Sequence, residues 1–152
     1  LSELIKYKDI DSYGKLYNNK SLTNDYGKKS KIELYSKYKF VIAFDNAISQ
    51  DYVTEKFFDP LISGSVPIYL GVPNVQEFAP GNNCFVDVTQ FLSPKHLADY
   101  INTCYSDEKL YRKHHLCRMD ALSSGFILKV EPLKTNLFIR LSHLIVDKFK
   151  HG

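Results

Sequence analysis

The chain has 152 residues, of which 44% are hydrophobic and 24% charged, and its formal net charge at pH 7 is +3. This length and composition are typical of one globular domain with a substantial core, and the mild charge argues against a nucleic-acid-binding protein. The apolar runs fall far short of the roughly 18 residues that indicate a membrane span.

The amino-terminal third is mostly polar, and its predicted elements are short. A strand is expected over 9–13, ended by Gly14 and the asparagines that follow, because these residues tolerate turn conformations. The stretch SKIELYSKY, 30–38, predicts one or two helical turns, whereas the basic stretch YGKKSK, 26–31, is interpreted as a solvated loop. Asn19 begins an N-glycosylation acceptor pattern, which permits a secretory location.

The middle of the chain alternates apolar runs with a helical pattern. Strands buried on both faces are predicted over 40–44 and 66–70. Between them, apolar residues at helical spacing predict a helix over about 54–62 that Gly64 ends, and Pro60 should bend or interrupt its last turn. We expect the two strands to pair in parallel through a right-handed crossover.

Beyond residue 71, short apolar runs again alternate with helical patterns. The predicted elements are a helical turn at 74–78, a strand within 84–88, a helix from Ser93 and Pro94 to about Tyr105, a helix over 107–123, and a closing helix at about 132–150. The alternation predicts an α/β fold, a Rossmann-like parallel sheet with crossover helices, in one domain spanning 1–152. Ligands of such sheets bind beyond the carboxyl ends of the strands.

The loop 45–52 and the helix after it form the strongest candidate site. A helix N-terminus suits a phosphate, and Lys56 adds a cation beside it. Glu55 can accept from paired sugar hydroxyls, Tyr52 can stack or donate, and Asn46 can tie the strand end to the loop or reach a ligand. Taken singly, each residue is more typical of an ordinary helix start or surface, and the chain has no glycine-rich phosphate fingerprint.

Metal and redox signals are weak. His114 and Cys117 are one helical turn apart and can share a metal, but two ligands without a set favour a helix carrying a buried cysteine. His143 lies among apolar residues and is interpreted as structural or half exposed. The three cysteines, an odd number without C-x-x-C spacing, leave the redox compartment open. No metal site is predicted.

Four stretches, in order, cover most of 9–101. They are DSYGK at 11–15, YKFVIAFDN at 38–46, DYVTEKFFDPLISGSVPIYLG at 51–71 and APGNNCFVDVTQFLSPKHLADYI at 79–101. Together they resemble the donor-binding C-terminal half of the α1,3-fucosyltransferases of glycosyltransferase family 10, and DYVTEKF is the most specific part. The resemblance implies the C-terminal domain of a GT-B glycosyltransferase, in which two nucleotide-binding-like domains face each other across a cleft.

The resemblance also implies a set of ligand contacts. It implies that GDP-fucose is contacted by Asn46, Tyr52, Glu55 and Lys56, and that Tyr13 and Gly14 lie close to the nucleotide. Glu55 would meet sugar hydroxyls and Lys56 the diphosphate. Three departures from the family pattern matter. Asp45 stands where the family usually has glutamate, and Pro60 falls inside the helix. The family's cysteine after the SYGK motif is also missing, which puts one familiar disulfide in doubt.

By the same resemblance, the base for inverting transfer lies in an N-terminal acceptor domain preceding Leu1. No catalytic residue is therefore predicted in this chain, which is interpreted as part of a longer protein and expected to be inactive alone. No cofactor is expected to be required, and a divalent cation such as Mn²⁺ stays open although no ligand set is visible.

The implied partners are GDP-fucose and, through the N-terminal domain, a glycan or glycoprotein acceptor. A membrane is expected to be met only through an anchor outside this chain, in a single-pass type II parent located in the Golgi lumen. Two alternatives stay open at this point: another GT-B glycosyltransferase using a different nucleotide sugar, and a non-catalytic interaction domain.

Overall fold

The computed structural model describes residues 1–15, 17–21 and 27–134. Its strands are β1 (Phe40–Phe44), β2 (Val66–Leu70) and β3 (Val86–Asp87). Its α-helices are α1 (Ser2–Ile5), α2 (Lys28–Tyr35), α3 (Glu55–Ser63), α4 (Pro94–Ser106), α5 (Glu108–Arg112) and α6 (Ser124–Val130). Short 3-10 turns occur at Val75–Phe78, Val88–Gln90, Lys113–Arg118 and Glu131–Lys134.

The described strands form one parallel sheet in the order β1–β2–β3. Phe40 pairs with Val66 at one end of the β1–β2 ladder, and Phe44 pairs with Leu70 at the other. The two apolar runs are therefore adjacent strands, and α3 connects them. This arrangement confirms the α/β class and the parallel pairing, while the right-handed sense of the crossover stays a prediction.

Each face of the sheet is covered by a helix. On one face, Phe40, Val66 and Ile68 belong to a cluster with Leu97 and Ile101 of α4. These apolar side chains are removed from water on both sides of their strands, which explains why β1 and β2 are continuous apolar runs rather than alternating ones.

The other face packs against α3, mainly through aromatic rings. Phe57 is completely buried, and its ring centroid lies 5.0 Å from that of Tyr69 and 5.3 Å from that of Phe85. Gly64 ends α3 with a φ of 95°, a left-handed conformation that favours glycine. Helix α3 lies within one residue of its predicted bounds.

Pro60 does not interrupt α3, which continues to Ser63. The prediction of an interruption was wrong, and the bend that was its alternative stays a prediction. Pro60 is fully buried, and its carbonyl accepts from the Ser63 hydroxyl at 2.8 Å and from the Ser65 N–H at 3.0 Å.

The strand expected over 9–13 is absent, and the reason lies in Asn19. Its side chain accepts from the Ser12 N–H at 2.8 Å and donates to the Ile10 carbonyl at 2.8 Å. These side-chain bonds occupy backbone groups that a strand would use. The basic stretch 26–31 was also misread, because α2 begins within it at Lys28.

The helix predicted over 107–123 is replaced by α5 and a 3-10 turn. In this turn His114 contacts the Asn83 carbonyl at 2.8 Å, and Cys117 forms a disulfide with Cys84 across a Cα–Cα distance of 5.7 Å. These contacts with the segment that precedes β3 thus determine the backbone conformation of the 3-10 turn. Cys104 is a buried thiol.

Most of the predicted closing helix, 132–150, and His143 lie outside the described residues. Among the helices that the structure does describe, none has the length and apolar character needed to cross a membrane.

Candidate functional site

The carboxyl edge of the sheet is formed where β1 and β2 end. The Asp45 N–H donates to the Leu70 carbonyl at 2.8 Å, so the backbone pairing extends one residue beyond β1. The chain then forms an exposed loop over 46–51, and α3 begins at Glu55. The helix N-terminus therefore lies at the same edge as the strand ends, as the sequence predicted.

Thr54 determines where α3 starts. Its backbone is extended, with φ −107° and ψ 178°, and its Oγ1 accepts from the Lys56 N–H at 3.3 Å. This is an N-cap, a position that threonine favours because its hydroxyl satisfies a backbone donor that lacks an intrahelical partner. Thr54 was not among the predicted site residues, although a threonine before an acidic first turn is a recognisable cap signal.

Asp45 joins this cap to the neighbouring strand. Its Oδ1 accepts from Thr54 Oγ1 at 2.5 Å, and its Oδ2 accepts from the Tyr69 hydroxyl at 2.6 Å. The Tyr69 oxygen also accepts from the Val72 N–H at 3.1 Å. Burial raises the pKa of Tyr69, and the bond to Asp45 raises it further, so the phenol stays protonated and donates. Tyr69 was predicted only as a strand residue.

Asp51 fixes the far end of the loop. Its φ of 62° lies in the left-handed region. Its Oδ1 accepts from Lys129 Nζ at 2.8 Å and from Asn74 Nδ2 at 2.9 Å, and its N–H donates to Asn74 Oδ1 at 3.2 Å. The Lys129 bond, followed by the Asn74 bond, lowers the pKa of Asp51. No sequence signal links residues so far apart in the chain.

Four of the predicted contact residues collect at this edge. Asn46 follows Asp45 directly and is exposed, and Tyr52 follows Asp51 with half of its surface exposed. The Glu55 and Lys56 side chains are 55% and 34% exposed, with 3.7 Å between Glu55 Oε1 and Lys56 Nζ. A carboxylate, an ammonium, a phenol and an amide are thus accessible around one helix N-terminus, while their orientation toward a cleft stays a prediction.

Tyr13 and Gly14 lie elsewhere. The Tyr13 hydroxyl is 2.9 Å from that of Tyr38, which also donates to Asp11 Oδ2 at 2.8 Å. Tyr38 precedes β1, so these contacts are at the amino end of that strand. A cavity of about 880 Å³ adjoins Tyr13, Gly14 and Val41 of β1. The Tyr13 hydroxyl is thus held near the amino end of β1, and the proximity of Tyr13 and Gly14 to a nucleotide stays a prediction.

The described residues contain no group of three or more histidine, cysteine or acidic side chains placed to hold a metal ion. His114 Nε2 lies 2.9 Å from the Tyr100 hydroxyl, and Cys117 is bonded to Cys84. The two residues considered as metal ligands are therefore part of the packing around β3.

Residues 1–136 match the family model for the C-terminal part of glycosyltransferase family 10 (fucosyltransferase). The chain is 37% identical over 155 residues to the Drosophila melanogaster protein named alpha-(1,3)-fucosyltransferase B, covering 95% of this chain and 34% of that relative. It is 39% identical over 117 residues to the Xenopus tropicalis protein named GDP-fucose protein O-fucosyltransferase 3, covering 73% of this chain and 25% of the relative.

A solved structure gives the same result for the fold. The crystal structure of an alpha1,3-fucosyltransferase with GDP-fucose matches with a TM-score of 0.61 and 29% identity, over 73% of this chain and 31% of that one. The chain thus spans a quarter to a third of the length of these proteins.

Proposed function

The chain belongs to the fucosyltransferases of glycosyltransferase family 10, and from that premise we propose that it is the donor-binding part of an enzyme that transfers fucose from GDP-fucose to a glycan. The proposed reaction forms an α1,3 linkage with inversion at the sugar. The observation that carries the proposal is the group Asn46, Tyr52, Glu55 and Lys56 around the N-terminus of α3 at the carboxyl edge of the sheet.

In this proposal the diphosphate lies against the helix N-terminus and Lys56. The N-terminal turn carries unpaired N–H groups and a partial positive charge, and the partly exposed Lys56 ammonium can move toward a bound phosphate. Glu55 accepts from sugar hydroxyls, and its carboxylate keeps Lys56 nearby before the ligand binds. Tyr52 and Asn46 contact the donor from the loop.

The chemistry then divides between this chain and the rest of the enzyme. An acceptor oxygen forms a bond to C1 of fucose while the bond from C1 to the diphosphate oxygen breaks. The acceptor proton passes to a base outside this chain, and negative charge grows on the departing diphosphate. Lys56 and the N–H groups of α3 stabilise that charge, so the positive charge needed by the leaving group comes from the protein itself and no resident metal or other cofactor is required.

A second acceptor class is favoured by particular relatives. Several matching proteins are named GDP-fucose protein O-fucosyltransferase 3, among them the human one, 37% identical over 118 residues. In this alternative the donor site is the same, and a side-chain hydroxyl of a protein replaces the glycan hydroxyl.

We also propose that the parent enzyme is a single-pass type II membrane protein that acts in the Golgi lumen. The disulfide between Cys84 and Cys117 supports this location, because such bonds persist in the oxidising secretory compartments and are rare in the cytosol.

The test uses the full-length protein and a panel of nucleotide sugars. GDP-fucose at about 100 times its Kd should raise the free energy of unfolding by about 2.7 kcal/mol, whereas UDP-galactose at the same concentration should have no effect. Transfer of labelled fucose is then measured onto a glycan and onto a folded glycoprotein stripped of its glycans, with and without EDTA. Stabilisation by another nucleotide sugar alone, or no binding at all, would exclude the proposal, and an EDTA-sensitive reaction would exclude its metal-free form.

A further inference from the structure

Asp45, which directly follows β1, forms hydrogen bonds through both its backbone and its side chain. Its backbone N–H pairs with Leu70, and its two carboxylate oxygens accept from Thr54 and Tyr69. The side chain therefore links three parts of the structure: the end of β1, the cap of α3 and strand β2. A carboxylate is suited to this place because both donors are hydroxyls and both of its oxygens are acceptors.

The Thr54 hydroxyl acts in two directions. It donates its proton to Asp45 Oδ1 and accepts from the Lys56 N–H. The bond to the carboxylate fixes the hydroxyl so that its lone pair faces the first turn of α3. Asp45 is thus connected through one hydroxyl to the backbone of Lys56.

Tyr69 makes the connection rigid. Only 1% of Tyr69 is exposed, and its ring packs against Phe57 of α3. Gly71 lies directly against the bonded pair: a Cβ at this position would overlap the Tyr69 hydroxyl and would sit 2.7 Å from Asp45 Oδ2. There is no room for the carboxylate and phenol to separate on that side, so their geometry is tightly constrained.

We propose that Asp45 is a positioning residue for the sugar donor, which holds the first turn of α3 in register with the sheet edge through Thr54 and Tyr69. This inference rests on the proposed function, because the groups that it positions are Glu55 and Lys56. Asp45 and Thr54 do not touch the donor; they determine where the Lys56 ammonium and the helix N–H groups meet the diphosphate.

Each variant changes one side chain in the full-length enzyme. Asp45→Asn keeps the side-chain volume and the backbone pairing to Leu70 but leaves one acceptor oxygen for two donors. Thr54→Val keeps the shape and removes the hydroxyl, and Thr54→Ser restores it. Tyr69→Phe removes the hydroxyl that donates to Asp45 and accepts from the Val72 N–H. The matched controls are Asp99→Asn on α4, where Asp99 pairs with Lys95, and Tyr111→Phe, which loses a hydroxyl bond to the Lys39 carbonyl.

The expected result is a loss of about ten- to a hundredfold in kcat/KM for GDP-fucose in Asp45→Asn and Thr54→Val, since small displacements of positioned groups have effects of that size. The KM for the acceptor should change less than about twofold, because Asp45 acts on the donor side only. Thr54→Ser should recover most of the activity, and the controls should match the unmodified enzyme. Rates are expressed per GDP-binding site, so partial unfolding cannot imitate the effect.

The decisive measurement combines these changes with Lys56→Ala. If Asp45 acts through the first turn of α3, Asp45→Asn should lower the activity of the Lys56→Ala enzyme far less than that of the unmodified one. Equal losses in both backgrounds, or unchanged activity in Asp45→Asn and Thr54→Val, would overturn the positioning role even with donor binding intact. An unmodified enzyme that does not bind GDP-fucose would overturn the proposed function and this inference together.

Discussion

The carboxyl edge of the sheet carries accessible polar side chains around the start of α3, whereas the polar side chain that precedes β2, Ser65, is buried among its partners. At the carboxyl edge, Tyr52 is half exposed, and the Glu55 and Lys56 side chains remain open to water. At the amino edge, Ser65 is completely buried and donates to the carbonyls of Tyr35 and Tyr38 at 2.5 and 2.8 Å, while Arg118 donates to the Ser65 carbonyl at 3.1 Å.

This difference in burial indicates that polar groups at the carboxyl edge serve ligand binding, whereas those at the amino edge stabilise the fold. Buried polar groups that already have partners stabilise the fold, because losing one partner leaves the other without a bond. Exposed polar groups held in place by residues such as Asp45 and Asp51 contribute little to stability and are available for a ligand. Substitutions at the two edges should therefore change different properties.

The largest expected effect is on turnover, at the carboxyl edge. In the full-length enzyme, Lys56→Ala should lower kcat for fucose transfer by about 10² to 10³, because the charge that Lys56 stabilises grows as the diphosphate leaves. The free energy of unfolding should change by less than about 0.5 kcal/mol, as is usual for surface positions. Steady-state kinetics and denaturant titration measure both, with Lys95→Ala as control. Unchanged turnover would remove Lys56 from the proposed mechanism.

The next effect is on stability, at the amino edge. Cys84→Ser should lower the free energy of unfolding by about 3 kcal/mol, because the disulfide to Cys117 closes a loop across 33 residues and restricts the unfolded chain. The Kd for GDP should stay the same. A reductant should destabilise the unmodified protein by a similar amount and have no further effect on the variant. A GDP affinity that fell with stability would show that the two edges are coupled.

A smaller effect is expected between the edges, where α2 meets α3. Asp59 is 1% exposed, and Lys31 Nζ lies 2.7 Å from its Oδ2. Lys31→Ala should lower the free energy of unfolding by about 2 kcal/mol, since a buried carboxylate loses its nearest cation. Thermal unfolding checks this, with the exposed Lys29→Ala in the same helix as control. Equal stability of the two variants would contradict it.

The pH dependence of that contribution has a defined sign. Burial lowers the pKa of Lys31, but the hydrogen bond and neighbouring charges outweigh it, so its pKa is above the usual value. The stabilisation is therefore complete below a pH of about 10.5 and is lost as the pH rises above it.

The smallest effect concerns His114, at the amino end of β3. Burial lowers its pKa, and the bond to Asn83 opposes this only in part. The unfolded chain therefore binds a proton at about pH 6.5 before the folded one does, and stability falls as the pH drops below that value. His114→Phe should flatten the dependence between pH 7 and 5, whereas Tyr100→Phe, which removes the bonded hydroxyl, should keep it. Urea titrations at each pH measure the free energy of unfolding. If that free energy changed with pH by the same amount in His114→Phe as in the unmodified protein, His114 would not be the group responsible.

The parts that sequence reasoning predicted are those governed by local patterns. Strands β1 and β2 coincide with uninterrupted apolar runs, and α3 coincides with a helical repeat between Thr54 and Gly64. The prediction of a strand over 9–13 was wrong because the bonds that compete with strand pairing come from Asn19, which lies outside that segment.

The sequence by itself determined that a helix N-terminus bearing Glu55 and Lys56 follows a buried strand, since periodicity and capping depend on residues a few positions apart. Only the tertiary structure decided what holds that turn in place. Tyr69 meets Asp45 across 24 positions of the chain, and Lys129 meets Asp51 across 78. Such pairs form when packed elements bring distant side chains within about 3 Å, and no local pattern encodes that distance.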